Sequence, residues 1–141
     1  MNLRDLYSQI IKENSRSTAH RHAVEGATHT LEGVNPSCGD DIILSLRVED
    51  GVVADGGFTG SGCAISQASA SLMLDLIIGR DLDAARRLAD IFLRMITGDV
   101  TDEELEELED AAALQGISKI PARVKCAVLS WHTLEELLGD E

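Results

Sequence analysis

Three cysteines and one aspartate carry the chemistry most legible in this 141-residue chain: Cys38, Asp40, Cys63 and Cys126. Three thiols cannot all pair, and a reducing compartment disfavours disulfides in any case. The options are inert buried cysteines, a metal site or a reactive thiol. Free cysteine is among the most buried residue types, so the inert reading is the starting point. Position in the chain shifts the balance. Cys38 lies in the turn-forming run Asn35-Pro36-Ser37-Cys38-Gly39-Asp40. Cys63 follows Gly60-Ser61-Gly62, where a helix begins, and Cys126 comes five residues after Pro121, near the start of the last helix. None of the three falls in an apolar stripe. A helix N-terminus favours an anion, and hence a thiolate.

Asp40 stands two residues from Cys38, and Gly39 between them allows a bend that turns both side chains to one point. Three thiolates and one carboxylate make four ligands, the tetrahedral requirement of Zn²⁺. Thiolates also suit iron–sulfur clusters, so ligand type alone does not choose the metal. The bland alternative for Asp40 is a turn-capping acid. Lys119, Arg123 and Lys125 gather positive charge beside Cys126. Such charge lowers a thiol pKa and can grip an anionic group, although a solvated helix face has the same composition. His20 and His22 form an H-x-H pair in a polar, aperiodic stretch and are expected to face solvent, while His29 and His132 stand alone. Gly56-Gly57 and Gly60-Ser61-Gly62 lack the Lys-Ser/Thr of a phosphate-binding loop, so glycine there is expected to let backbone crowd a cysteine. No Ser-His-Asp arrangement is present.

The elements that must position these residues follow from periodicity. Leu3, Leu6, Tyr7, Ile10 and Ile11 outline an amphipathic helix over 2–13. Residues 14–27 lose all period and read as a loop, and 28–34 as a short strand before Asn35-Pro36. Ile42, Leu44, Leu46 and Val48 alternate with polar residues, as do Val52, Ala54, Gly56 and Phe58, with Asp50-Gly51 between them. A two-residue loop would set Leu46 opposite Asp55 and bury a carboxylate. A three-residue loop, Glu49-Asp50-Gly51 with Gly51 left-handed, sets Val48 opposite Val52 and Leu46 opposite Ala54, and is the expected register.

Helical period then takes over, with helices over about 64–78 and 82–96, the second ended by Gly98. Thr101-Asp102-Glu103-Glu104 is a capping box opening a short acidic helix with Leu105, Leu108 and Ala112. Pro121 suits a first helical position, and Val124, Val128, Trp131, Leu134 and Leu138 stripe the last helix. Helix, strands, then helices describe an α+β fold with a small antiparallel three-stranded sheet packed against helices.

Composition sets the outer bounds. With 44% hydrophobic residues at 15.2 kDa, one domain spanning 1–141 can bury a core. Twelve basic against 25 acidic residues give a formal charge of −13. That charge argues against nucleic acid and against anionic membrane as partners. Eight of the acids fall within 99–110, so the neighbourhood of Cys126 is locally basic all the same. No apolar run approaches the roughly 18 residues of a membrane span, and the first residues lack the layout of a secretory signal. A cytoplasmic protein is the expectation.

The runs at 35–40, Gly-Ser-Gly-Cys-Ala-Ile-Ser-Gln-Ala-Ser-Ala-Ser at 60–71, and Ala-Leu-Gln-Gly-Ile-Ser-Lys-Ile-Pro-Ala-Arg-Val-Lys-Cys-Ala-Val-Leu-Ser-Trp at 113–131 resemble the IscU/NifU-N family of iron–sulfur cluster assembly proteins. The resemblance is nearest to its SufU branch. Where IscU scaffolds carry a His directly before the third cysteine, this chain has Lys125, with Arg123 three residues before Cys126. The acidic segment 99–116 resembles an insertion of that branch, and 14–30 is a variable loop that matches the family poorly. The resemblance implies an IscU/SufE-like fold and Zn²⁺ held by Cys38, Asp40, Cys63 and Cys126. It implies a cysteine desulfurase of the SufS type as partner, with downstream iron–sulfur assembly proteins beyond it. Cys38 would accept persulfide sulfur, and Arg123 would assist when a ligand leaves the metal. Such a protein is a sulfurtransferase-like acceptor. The alternatives are a non-enzymatic scaffold building a [2Fe–2S] cluster, or holding iron, on the same cysteines, and a purely structural zinc module.

Overall fold

The computed structural model describes residues 3–37 and 39–139. The chain runs α1 (Leu3–Arg16), β1 (His29–Asn35), β2 (Asp40–Glu49), β3 (Val52–Ser61), α2 (Ala64–Ile77), α3 (Leu82–Ile96), α4 (Asp102–Glu107), a stretch of 3₁₀ turns (Glu109–Lys119) and α5 (Pro121–Leu138). The three strands form one antiparallel sheet in the order β1-β2-β3. This is the α+β architecture expected from the order of periods. No helix among the described residues is long and apolar enough to cross a membrane.

The hairpin register corrects the expectation. Glu49 faces Val52 and Val48 faces Val53, so the loop is the two residues Asp50-Gly51. Both have positive φ, 52° and 74°, as a type I′ turn requires. The register then slips between Arg47 and Val48, so that Arg47 faces Asp55 and Leu46 faces Gly56. Ala54 is the extra residue of a β-bulge. The bulge reverses the inward parity of β3, so Val53 is buried before it, and Gly56 and Phe58 after it. A two-residue loop therefore buries no carboxylate under Leu46.

Ile42, Leu44 and Leu46 of β2, with Phe58 of β3, present the apolar face of the sheet to the helices. α5 lies beneath β1 and β2, α2 packs between α5 and α1, and α3 closes the far side of α5. Two contacts tie α2 to α5. The Trp131 indole N–H donates to Ser69 Oγ at 2.8 Å, and that hydroxyl donates to the Ala127 carbonyl at 2.6 Å. Trp131 also stacks on Phe92 of α3 with centroids 4.1 Å apart. In α1, Tyr7, Ile10 and Ile11 turn towards the protein, but Leu6 is exposed, so the buried stripe is narrower than expected.

Residues 17–28 form an irregular strap laid along β3. The Phe58 N–H donates to the His20 carbonyl, and the Val24 N–H to Ser45 Oγ. A Cβ at Gly57 would sit 2.1 Å from the His22 carbonyl oxygen, so that glycine admits the strap rather than a cysteine. His20 is not solvent-facing as expected. Its ring is 16% exposed and lies 2.6 Å from Asp75 of α2. His22 is exposed, as expected. The turn between α2 and α3 pairs with the start of β3: Val53 N–H donates to Arg80 O, Gly79 N–H to Val53 O, and Val52 bridges Asp81.

The capping box at Thr101 and Glu104 is formed, but α4 stops at Glu107 and Glu109 takes a positive φ of 51°. The expected single helix through Ala112 is thus a helix followed by 3₁₀ turns, which bury Ala111, Ala112 and Leu114. Three arginines hold this acidic stretch: Arg94 to Glu104, Arg87 to Glu107 and Arg80 to Glu109.

Candidate metal centre

Asp40 begins β2, Cys63 caps α2, and Cys126 lies in the second turn of α5. One ligand atom from each lies within 4.8 Å of the others. Three positions spread over 86 residues of sequence (126 − 40) therefore converge on one point. Asp40 and Cys126 are fully buried, and Cys63 is half-buried at the mouth. Neither Cys63 nor Cys126 is in a disulfide. Cys126 is buried more deeply than its place outside the apolar stripe implied. The inward face of α5 runs through Cys126, Ala127, Ser130, Trp131 and Leu134, with Val124 and Val128 only half-buried.

Hydrogen bonds lock the acid and the first thiol together. Asp40 Oδ1 accepts the Cys63 N–H at 2.9 Å and lies 3.3 Å from Ser66 Oγ. Asp40 Oδ2 is 3.5 Å from Asn35 Nδ2. Asp40 is thus the capping acid of the bland reading and a member of the cluster at once. Cys63 Sγ accepts the Ser66 N–H at 3.5 Å in the manner of an N-cap side chain. Burial opposes charge on this sulfur, and so does the negative charge of Asp40. The Ser66 amide, the Cys126 thiol and the Ser66 hydroxyl outweigh both and draw the Cys63 pKa below the ordinary thiol value.

Cys38 lies outside the described residues. Its neighbours Ser37 and Gly39 are exposed, and Gly39 has the positive φ, 71°, that the sequence suggested for the bend. Lys125 reaches back to this turn, with Nζ 3.4 Å from Ser37 Oγ. Arg123 and Lys119 are exposed on the solvent side of the α5 N-terminus. The structure therefore gathers Asp40, Cys63 and Cys126, turns Lys125 towards Ser37, and leaves Arg123 exposed on the first turn of α5. The sequence missed Asn35 and Ser66. Asn35 stands in the same turn run as Asp40, and Ser66 sits three residues after Cys63, the spacing of an N-cap partner.

Two sulfurs and one buried carboxylate oxygen form a donor set that could hold a metal ion. Fold and cluster together define an α+β domain in which one carboxylate and two thiols, from one strand and two helix starts, converge into a candidate metal site. Residues 6–127 match the NifU-like N terminal domain, and the chain belongs to that family. The chain is 39% identical over 140 residues to the zinc-dependent sulfurtransferase SufU of Bacillus subtilis, covering 99% of this chain and 94% of that protein. It is 45% identical over 133 residues to the iron–sulfur cluster assembly scaffold protein IscU of Thermotoga maritima, covering 94% and 92%. Its fold superposes with a TM-score of 0.89 on the crystal structure of a putative iron–sulfur cluster assembly scaffold protein for the SUF system from Fervidobacterium islandicum. That chain is 33% identical, and the match covers 98% of this chain and all of the other.

Proposed function

We propose that this protein is a zinc-dependent acceptor and relay of persulfide sulfur, working with a cysteine desulfurase in iron–sulfur cluster assembly. The observation that carries the reading is the convergence of Asp40, Cys63 and Cys126 within 4.8 Å, with the Cys38 turn leading directly into Asp40. The similarity to the Bacillus subtilis sulfurtransferase supports it. Asp40, Cys63, Cys126 and Cys38 would hold the metal. When bound, zinc keeps its thiolate ligands unprotonated at neutral pH.

The chain's own groups do the rest. Asp40 is fixed by three hydrogen-bond partners, and Cys63 and Cys126 are anchored on helices. Cys38, whose neighbours Ser37 and Gly39 are exposed, is the ligand we assign to the reaction. Its thiolate attacks the outer sulfur of the partner's cysteine persulfide. A new S–S bond forms on Cys38, the partner's S–S bond breaks, and the partner's sulfur leaves as thiolate. No net oxidation occurs. We assign Arg123 to the rim, where its charge meets the partner or the displaced arrangement. The single domain of 1–141, the variable strap at 14–30 and the insertion-like acidic segment 99–116 belong to the same proposal.

A scaffold that builds a [2Fe–2S] cluster on these cysteines is the second reading, favoured by the similarity to the Thermotoga maritima scaffold. Lys125, where a scaffold of that family carries a ligating-type His, weighs against it. Metal analysis of the purified protein, followed by transfer of labelled sulfur from a cysteine desulfurase, separates the two. One tightly held zinc per chain and labelled persulfide on Cys38 are expected, with Cys38→Ala retaining some metal and accepting no sulfur. Full transfer to Cys38→Ala overturns the assignment. A coloured, iron-containing protein that donates its cluster establishes the scaffold reading.

A further inference from the structure

We propose that Ser66 is the positioning residue of this centre: its hydroxyl selects which oxygen of Asp40 faces the metal, while its N–H orients the Cys63 sulfur. This rests on reading the cluster as a metal centre. Ser66 is 1% exposed and belongs to the first turn of α2. Its Oγ lies 3.3 Å from Asp40 Oδ1 and 3.0 Å from the Cys63 carbonyl oxygen. Its N–H donates to Cys63 Sγ at 3.5 Å. One residue thus touches two ligands that come from different elements.

The carboxylate geometry gives the contact its meaning. Oδ1 accepts the Cys63 N–H at 2.9 Å and lies within reach of the Ser66 hydroxyl. Oδ2 has only the long contact to Asn35 Nδ2, at 3.5 Å. Oδ2 is therefore the oxygen free to serve a cation, and Oδ1 is held back by Cys63 and Ser66. A hydroxyl carries one proton and donates to one acceptor at a time. With Oδ2 on a cation, the Ser66 proton stays on Oδ1 and keeps the carboxylate from turning.

Gly62 reports on the same hydroxyl from outside. A Cβ built there would lie 2.3 Å from Ser66 Oγ and 3.1 Å from Asp40 Oδ1. Alanine at position 62 must therefore push the hydroxyl away, but in a chain that already lacks the hydroxyl most of that collision disappears. The two positions form a double-mutant cycle with a definite sign.

The test uses the full chain with Zn²⁺, and with Co²⁺ as a spectroscopic substitute, in competition with a chelator. Ser66→Ala should weaken metal binding by roughly 10–100-fold and shift the Co²⁺ ligand-field bands. Gly62→Ala should do the same. Gly62→Ala/Ser66→Ala should lose less than the product of the two single losses, the remainder being the contact of the new methyl with Asp40 Oδ1. Circular dichroism of the metal-free proteins checks that each folds, and if Ser66→Ala does not, Gly62→Ala still displaces the hydroxyl, together with Asp40 Oδ1. Binding within twofold of the unsubstituted chain by the folded single variants, with unchanged Co²⁺ bands, overturns the proposal. So does a double variant that loses the product of the two single losses. Failure of the unsubstituted chain to take up either metal overturns the metal-centre reading itself.

Discussion

The Cys63 N–H donates to Asp40 Oδ1 at 2.9 Å, joining the head of α2 to the head of β2 across 23 residues. The bond makes Asp40 part of the fold before any metal arrives. Asp40→Ala should therefore destabilise the metal-free protein, by about 1–3 kcal/mol, because the Cys63 N–H loses its buried acceptor. Urea unfolding in the presence of chelator measures it. Asp40→Asn keeps an acceptor oxygen and should lose less. Equal stability of Asp40→Ala and the unsubstituted chain would contradict the bond's structural role.

Metal removal should cost more than any one of these contacts. The three converging residues belong to β2, α2 and α5, so a cation held by them would favour the native chain, the unfolded chain having no preformed site. At free zinc about a thousandfold above Kd, binding adds about 4 kcal/mol. Chelation should then lower the melting temperature by roughly 10 °C for a chain of this size. A melting curve indifferent to chelator and to added Zn²⁺ would exclude a resident metal.

Gly57→Ala tests the strap. A methyl group there meets the His22 carbonyl, so residues 17–28 must move off β3. The expected cost is about 1–3 kcal/mol, typical of overpacking. The sharper readout is amide exchange at Phe58, whose N–H donates to the His20 carbonyl. Its exchange should accelerate more than that of amides inside the β1–β2 ladder.

Acid stability should depend on Glu104. Hydrogen bonds from Arg94, then from the Thr101 backbone, pull its pKa from 4.5 to about 2. The ionised form is thus favoured in the folded state. Its contribution is fully present above the ordinary carboxylate value and is lost as pH falls from there through about 2, because the unfolded chain takes up the proton first. Glu104→Gln should flatten the pH dependence of unfolding in that window and leave the slope near neutrality unchanged. Added salt should shrink the difference, since the pair is partly exposed.

Sequence alone located much of this. Cys63 and Cys126 were marked by their places at helix starts, and Asp40 by its turn, because caps and turns have local signatures. The strands and the capping box at Thr101 were legible for the same reason. What escaped was tertiary. The bulge at Ala54 is invisible to alternation counting, which assumes unbroken parity along β3. His20 read as exposed because its partner, Asp75, is 55 residues away. Leu108 and Ala112 kept helical spacing, yet Glu109 turns to positive φ while its carboxylate bonds Arg80. Ser66 looked like one more small residue in a Ser- and Ala-rich helix until Asp40 was brought beside it.

A three-stranded sheet has two edges, and an open edge is a template on which another chain can add a strand. The β3 edge is already engaged by the protein itself, by the His20 carbonyl at Phe58 and by the Arg80–Asp81 turn at Val52 and Val53. The strap engages β3 partly through the His20 carbonyl, a main-chain group that every residue possesses, so this contact depends on the strap's path rather than on the His20 side chain. Loosening it would expose β3 to pairing with other copies, so damage there should surface as self-association.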